Sequence, residues 1–132
     1  MGKGQAFLSE FDKTSRGDVR HLNVVISNPD SENNVLVVPI CTYHESNNRP
    51  LSMQDNSCIL PEGCHPFIKR KSFVQYSHAR AINVVDIFNG LQKGKIIKKE
   101  EFSAFYVQDM QRGAELTRKL PAKLKRFFGF FL

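Results

Sequence analysis

At 132 residues, with 41% hydrophobic residues and eleven Phe, the chain has enough apolar material for one domain around a single core. The net charge of +6 is unevenly placed: from Arg112 onward six cations face one acid, Glu115, which leaves the remainder close to neutral. No apolar run reaches about 18 residues, no signal-peptide h-region opens the chain, and three cysteines lack framework spacing, so a cytoplasmic protein with reduced thiols and no stable membrane insertion is expected.

In chain order, residues 1–17 show no periodicity and many small or polar residues, which suits a flexible arm ahead of a single domain over 18–132. Residues 21–27 (His-Leu-Asn-Val-Val-Ile-Ser) are β-branched in the middle and precede a turn-rich Asn-Pro-Asp-Ser-Glu-Asn-Asn. Residues 35–43 form a second strand of the same kind, and both continuous apolar runs suit strands buried on two faces. Pro39 lacks an N–H, so this second strand is expected at a sheet edge or with a bulge there. Residues 44–56 read as a long polar loop of the sort that carries function.

The stretch 58–80 reads as a hairpin. Pro61, Gly63 and Pro66 force its turn and crowd Cys64, His65, Lys69, Arg70 and Lys71 together. Residues 81–88 extend the β pattern, Asn89-Gly90 marks a turn, and residues 93–97 make a last short strand. The period then changes. Phe102, Phe105, Tyr106 and Met110 fall at helical spacing, predicting a helix over 99–120 in which Gly113 costs about 1 kcal/mol relative to Ala. Pro121 opens a short second helix over 122–128 or kinks the first.

A mixed zinc site can be drawn from Cys41, His44, Cys58, Cys64 and His65, but the spacing between Cys58 and Cys64 is too wide and adjacent Cys64 and His65 rarely share an ion, so no metal and no cofactor is expected. A Cys/His nucleophile pair using Cys41 or Cys64 has no local signature. No phosphate-cradling Gly motif or nucleophile elbow occurs. What remains is phosphodiester cleavage through a ribose 2′-hydroxyl, which needs a base, an acid and cations, and for which His21, His65, His78, Lys69, Arg70 and Arg80 are the available groups. Each has a plainer role open to it: His78 suits a surface strand and Arg80 a structural ion pair. The basic tail, with Leu116, Leu120, Leu124, Phe127, Phe128, Phe130 and Phe131, suits a helix packed on the body or at a dimer seam, or else a membrane surface.

The order of these pieces resembles the MazF/PemK (Kid) toxins of bacterial toxin–antitoxin pairs. Val24-Val-Ile-Ser27 resembles that family's Val-Val-Leu-Ser strand, and Val37-Val-Pro-Ile-Cys-Thr42 its Val-Pro-x-Thr-Thr strand. Lys93-Gly-Lys-Ile followed by Glu100-Glu-Phe102 resembles its Lys-Gly-x-Val…Glu-Glu-Leu ending. The resemblance implies a mainly β (α+β) fold, a small SH3-like barrel of the CcdB/MazF type with a C-terminal helix, usually a homodimer. It also implies metal-independent cleavage of single-stranded RNA and neutralisation by a small acidic antitoxin protein. On this reading His21 stands where the family places an Arg-Pro and acts as acid or base. The family's catalytic Thr falls on Cys41 or Thr42, with Thr42 positioning phosphate, and Lys69 with Arg70 stabilises the phosphorane. Lys71 replaces the family's nearby Asp, and Gly17-Asp18 leads almost directly to His21, without the long loop between the family's first two strands. A non-catalytic binding module of the same fold, engaging an antitoxin-like protein or nucleic acid, is the alternative.

Overall fold

The two β-branched runs pair with each other. Strand β2 (Leu22–Val25) lies antiparallel to β3 (Asn34–Thr42), with Val24 opposite Val38 and Leu22 opposite Ile40. Asp30 organises the turn between them: its carboxylate accepts from the backbone N–H of Glu32 at 2.9 Å and of Asn34 at 2.8 Å, while Asn33 takes the left-handed conformation at φ 63°. The computed structural model describes residues 2–9, 21–43 and 54–129. Of the features read from sequence, residues 10–17 of the arm, residues 44–53 of the polar loop, and Phe130 and Phe131 lie outside that range.

Around this pair the chain builds a small mixed α+β fold on an open seven-stranded sheet, ordered β4-β5-β3-β2-β1-β7, in which β6 also pairs with β3. The remaining strands are β1 (Ala6–Ser9), β4 (Ile59–Leu60), β5 (Ser72–Val74), β6 (Arg80–Asn83) and β7 (Ile96–Lys99). Every pairing among the described residues is antiparallel. The helices are α1 (Val84–Gln92), α2 (Ala104–Leu116) and α3 (Ala122–Gly129).

Four sequence expectations change. Ala6–Ser9 is not part of an arm. It is a strand held between β2 and β7, and both of its faces are largely buried, so it lacks the alternation that marks a strand in sequence. Residues 84–88 are helical rather than β, because the Asn83 side chain caps α1 by accepting from the Val85 N–H and Asp86 sits in the first turn. The helix expected from residue 99 begins only at Ala104. Pairing of β7 with β1, and the Phe102 N–H donating to the Gly4 carbonyl at 2.8 Å, hold residues 99–103 extended. It also ends at Leu116: Thr117 turns extended, and its hydroxyl donates to buried Asp55 at 2.6 Å.

Pro39 is neither at an edge nor in a bulge. On one side β3 runs unbroken along β2. On the other, residues 34–37 pair with β6 and residues 40–42 pair with β5, and Pro39 falls in the gap between. Its carbonyl accepts from the Gln75 N–H at 3.0 Å, and its missing N–H points to where the ladder changes partner.

Strand alternation gives the sheet two faces. One carries Ala6, Leu22, Val24, Leu36, Val38, Ile40 and Val74 against Phe102, Val107, Met110 and Ala114 of the α2 region. The core stripe of α2 is thus Val107, Met110 and Ala114, whereas Phe105 is 67% exposed. Leu120 and Leu124 pack on the same core, so the tail is anchored to the body through these residues. The other face buries Phe7, Val25, Val35, Val37 and Ile96 under Ile87 of α1. Toward the far end of that face buried Asn23 and Cys41 join apolar Phe73, which pairs with Cys41.

At Gly113 α2 comes close to Tyr76 and to the segment that leads into β4. A Cβ there would meet the Tyr76 hydroxyl, Cys58 Cβ at 2.9 Å and the Ser57 carbonyl at 2.9 Å. Tyr76 is fully buried, and its hydroxyl donates to the Met110 carbonyl at 2.6 Å. Gly113→Ala is therefore expected to destabilise the protein by about 1–3 kcal/mol by overpacking, despite the higher helix propensity of Ala. Urea unfolding of the two proteins measures the difference.

Candidate active site

The polar end of the second face is assembled from four elements. Register and alternation put His21 and Asn23 of the β2 segment, Cys41 of β3, Gln75 just after β5, and Arg80 of β6 on one side of the sheet. The Cys41 thiol donates to Gln75 Oε1 at 3.0 Å, and its Sγ lies 3.9 Å from His21 Nδ1. Arg80 belongs to the strand on one side of β3 and Asn23 to the strand on the other. The guanidinium nevertheless donates to Asn23 Oδ1 at 3.2 Å, so the Arg80 side chain crosses over β3 beside Pro39.

Asn23 joins the two halves. It is wholly buried, accepts from Arg80, and donates through Nδ2 to the His21 carbonyl at 3.1 Å. Burying an amide is costly unless its donors and acceptors are matched, so these bonds set the position of the amide and of the groups it holds. The result is a surface that carries the His21 imidazole, next to Cys41, and the Arg80 guanidinium, which is tied through Asn23 to the His21 main chain.

The residues proposed from sequence are distributed as follows. His21 is in the cluster. Thr42 is exposed and, one residue beyond Cys41, points to the opposite face, so it is Cys41 that neighbours His21. Lys69 and Arg70 are exposed in the loop ahead of β5, at the same end of the sheet as Thr42, which pairs with Ser72. The third cation of that run, Lys71, sits over the Tyr43 ring at 4.5 Å, and that ring meets Phe73 edge-on. Asn23 and Gln75 were not anticipated. The available signal was parity: an Asn between Leu22 and Val24 shares its face with His21 in any strand reading.

His65 has a different role. Nδ1 accepts from the Phe67 N–H at 3.0 Å, which places the ring proton on Nε2, and Nε2 donates to the Glu100 carbonyl at 2.6 Å. Its ring stacks on Phe102 at 4.5 Å. With both nitrogens engaged and the side chain buried, His65 ties the β4–β5 loop to the segment between β7 and α2. It is neither free to ligate nor placed to exchange protons with a substrate. Among the described residues no three His, Cys, Asp or Glu side chains gather as a metal site requires. His44, the remaining sequence candidate for a ligand, lies outside the described residues.

The thiols on the other side of the sheet are inert. Burial pushes Cys58 up to about 12, with a further contribution from Asp109. Burial also raises Cys64, and it raises Tyr76 above the usual phenol range. Neither Cys58 nor Cys64 is a thiolate nucleophile at neutral pH. No protein-family model matches the chain, and no curated protein matches it.

The raised Cys58 thiol makes stability depend on alkaline pH. The folded state holds the proton above the ordinary thiol value of 9.0, where the unfolded chain releases it. This contribution is complete below about pH 9 and is lost as pH rises toward 12. Chemical denaturation at a series of pH values should show a constant midpoint near neutrality and a progressive fall above pH 9. Iodoacetamide at pH 8 should label Cys58 only after unfolding.

Proposed function

We propose that this chain is a toxin-like endoribonuclease of the MazF/PemK kind, with an SH3-like barrel as its fold, that cleaves single-stranded RNA without a metal. The observation that carries this reading is the buried Asn23 bridge, which ties the Arg80 guanidinium to the main chain of His21, a residue on the same face of the sheet. In that role His21 takes the proton from a ribose 2′-hydroxyl. The 2′-oxygen bonds to phosphorus, the bond to the 5′-oxygen breaks, solvent water gives a proton to that leaving oxygen, and the His21 imidazolium returns its proton to solvent. Arg80 stabilises the extra negative charge of the phosphorane, a form of catalysis that depends on a preorganised cation rather than on a mobile one. Lys69 and Arg70, exposed at the same end of the sheet as Thr42, contact flanking phosphates. Thr42 has no part in the reaction, and Cys41 with Gln75 orients the imidazole.

Two further points support the family reading. Strand β1 precedes β2, and residues 10–21 connect them, so the chain does carry a first strand and a long connection ahead of the Val-Val-Ile-Ser segment. The basic surface near the C-terminus, including exposed Lys123 and Lys125, suits an acidic antitoxin as partner. A homodimer is part of the same proposal.

A second reading, a binding module for an antitoxin-like protein or nucleic acid, draws on the composition of the cluster, which among the described residues is one imidazole, one guanidinium, one thiol and two amides. Incubating the purified protein with a mixed-sequence single-stranded RNA in EDTA separates the two. The ribonuclease yields 2′,3′-cyclic phosphate termini, His21→Ala lowers the rate at least about 100-fold, and Thr42→Val leaves it within about twofold. RNA left intact across a broad set of sequences overturns the catalytic reading, and tight, salt-dependent binding without turnover supports the second.

A further inference from the structure

Arg80 faces two regions at once. Its guanidinium reaches Asn23 in the cluster, and Arg80 also lines a broad open groove that runs along β6 toward α1 and the turn before β7. Asp86, Asn89, Lys93 and Lys95 form the rest of its polar lining, over a floor of Ala81 and Ile82. Lys93 closes the C-terminal end of α1, and the left-handed Gly94, at φ 72°, reverses the chain so that Lys95 follows on the same groove. Three cations against one carboxylate thus line a path that begins at the guanidinium of the candidate site.

We propose that this groove is the track for the single-stranded RNA on one side of the cleaved phosphate, with Arg80, Lys93 and Lys95 meeting successive phosphates and Asn89 meeting a base or ribose edge. The proposal rests on the ribonuclease reading of the cluster and extends it to substrate binding. An extended polyanion is favoured over an acidic peptide by the lining. Peptide affinity comes mainly from large apolar side chains seated in pockets, and this groove offers only Ala81 and Ile82 as apolar floor. The exposed apolar residues of α1, Val85 and Phe88, do not line it. Backbone recognition of a single strand needs only cations along a groove, and no enclosed pocket.

The test uses the full chain and a fluorescent single-stranded oligoribonucleotide methylated at every 2′-oxygen, which has no nucleophile and is not cleaved. Fluorescence anisotropy is measured across a salt series. Lys93→Gln with Lys95→Gln should weaken binding about tenfold and flatten the dependence of log affinity on log salt by about 1.4. Asp86→Asn, which removes the carboxylate of the lining, should tighten binding a few-fold, and Thr42→Val should bind as the parent does. A double variant with unchanged affinity and salt slope overturns the track. So does a double variant that loses a poly-glutamate peptide but keeps the oligonucleotide, which would make the groove a protein surface. Groove-dependent binding by a protein that cleaves no RNA refutes the ribonuclease reading and leaves the track standing. Cleavage with groove-independent binding refutes the track alone.

Discussion

The structure depends on one strand. β3 runs for nine residues through the middle of the sheet, unbroken along β2 on one side and shared between β6 and β5 on the other. Two partners on one edge require a place where the ladder stops and restarts, and that place is Pro39, the residue that cannot donate. The 3-10 turn at Tyr76–His78 takes up the chain between the two partners. The break brings Gln75 and Arg80, separated by that turn, onto the face where β2 presents His21 and Asn23.

The same sheet divides the labour between its faces. One is closed by α2, drawn in at Gly113 until Tyr76 bonds to the helix backbone, and the Cys58 thiol and Tyr76 phenol are buried there and held neutral. The other is closed by α1 over only part of its area. Where the apolar cover ends, a buried Asn bonded to an Arg takes its place. A polar group in that position costs free energy unless satisfied, and its satisfaction makes the arrangement rigid.

Much of the fold was legible in the residues. The β-branched runs at 24–26 and 35–38, the turn chemistry around Asp30 and the proline before α3 each act locally, so they can be read one at a time. The candidate site was legible only in part. His21 could be named, and Arg80 could be named as one cation among several. The run Lys69-Arg70-Lys71 drew attention because its charges are adjacent in sequence, yet Lys69 and Arg70 are exposed loop residues, whereas the cation held in the cluster is a single one eleven residues past Lys69. His65 looked reactive beside those charges, and packing made it structural by engaging both of its nitrogens.

By itself, the sequence determined the strands with strong β propensity, the turns with dedicated residues and the helical C-terminal third, because these follow from backbone preferences and short-range periodicity. Tertiary structure decided everything that depends on register. It turned Ala6–Ser9 into a strand by supplying β2 and β7 as partners, and it kept residues 99–103 extended against their helical spacing. It also placed Cys41 rather than Thr42 beside His21, because strand side chains alternate and one residue changes the face. Asn23 shows the difference most clearly. In the sequence it is a polar interruption of an apolar strand, and in the fold it is the bond between Arg80 and His21.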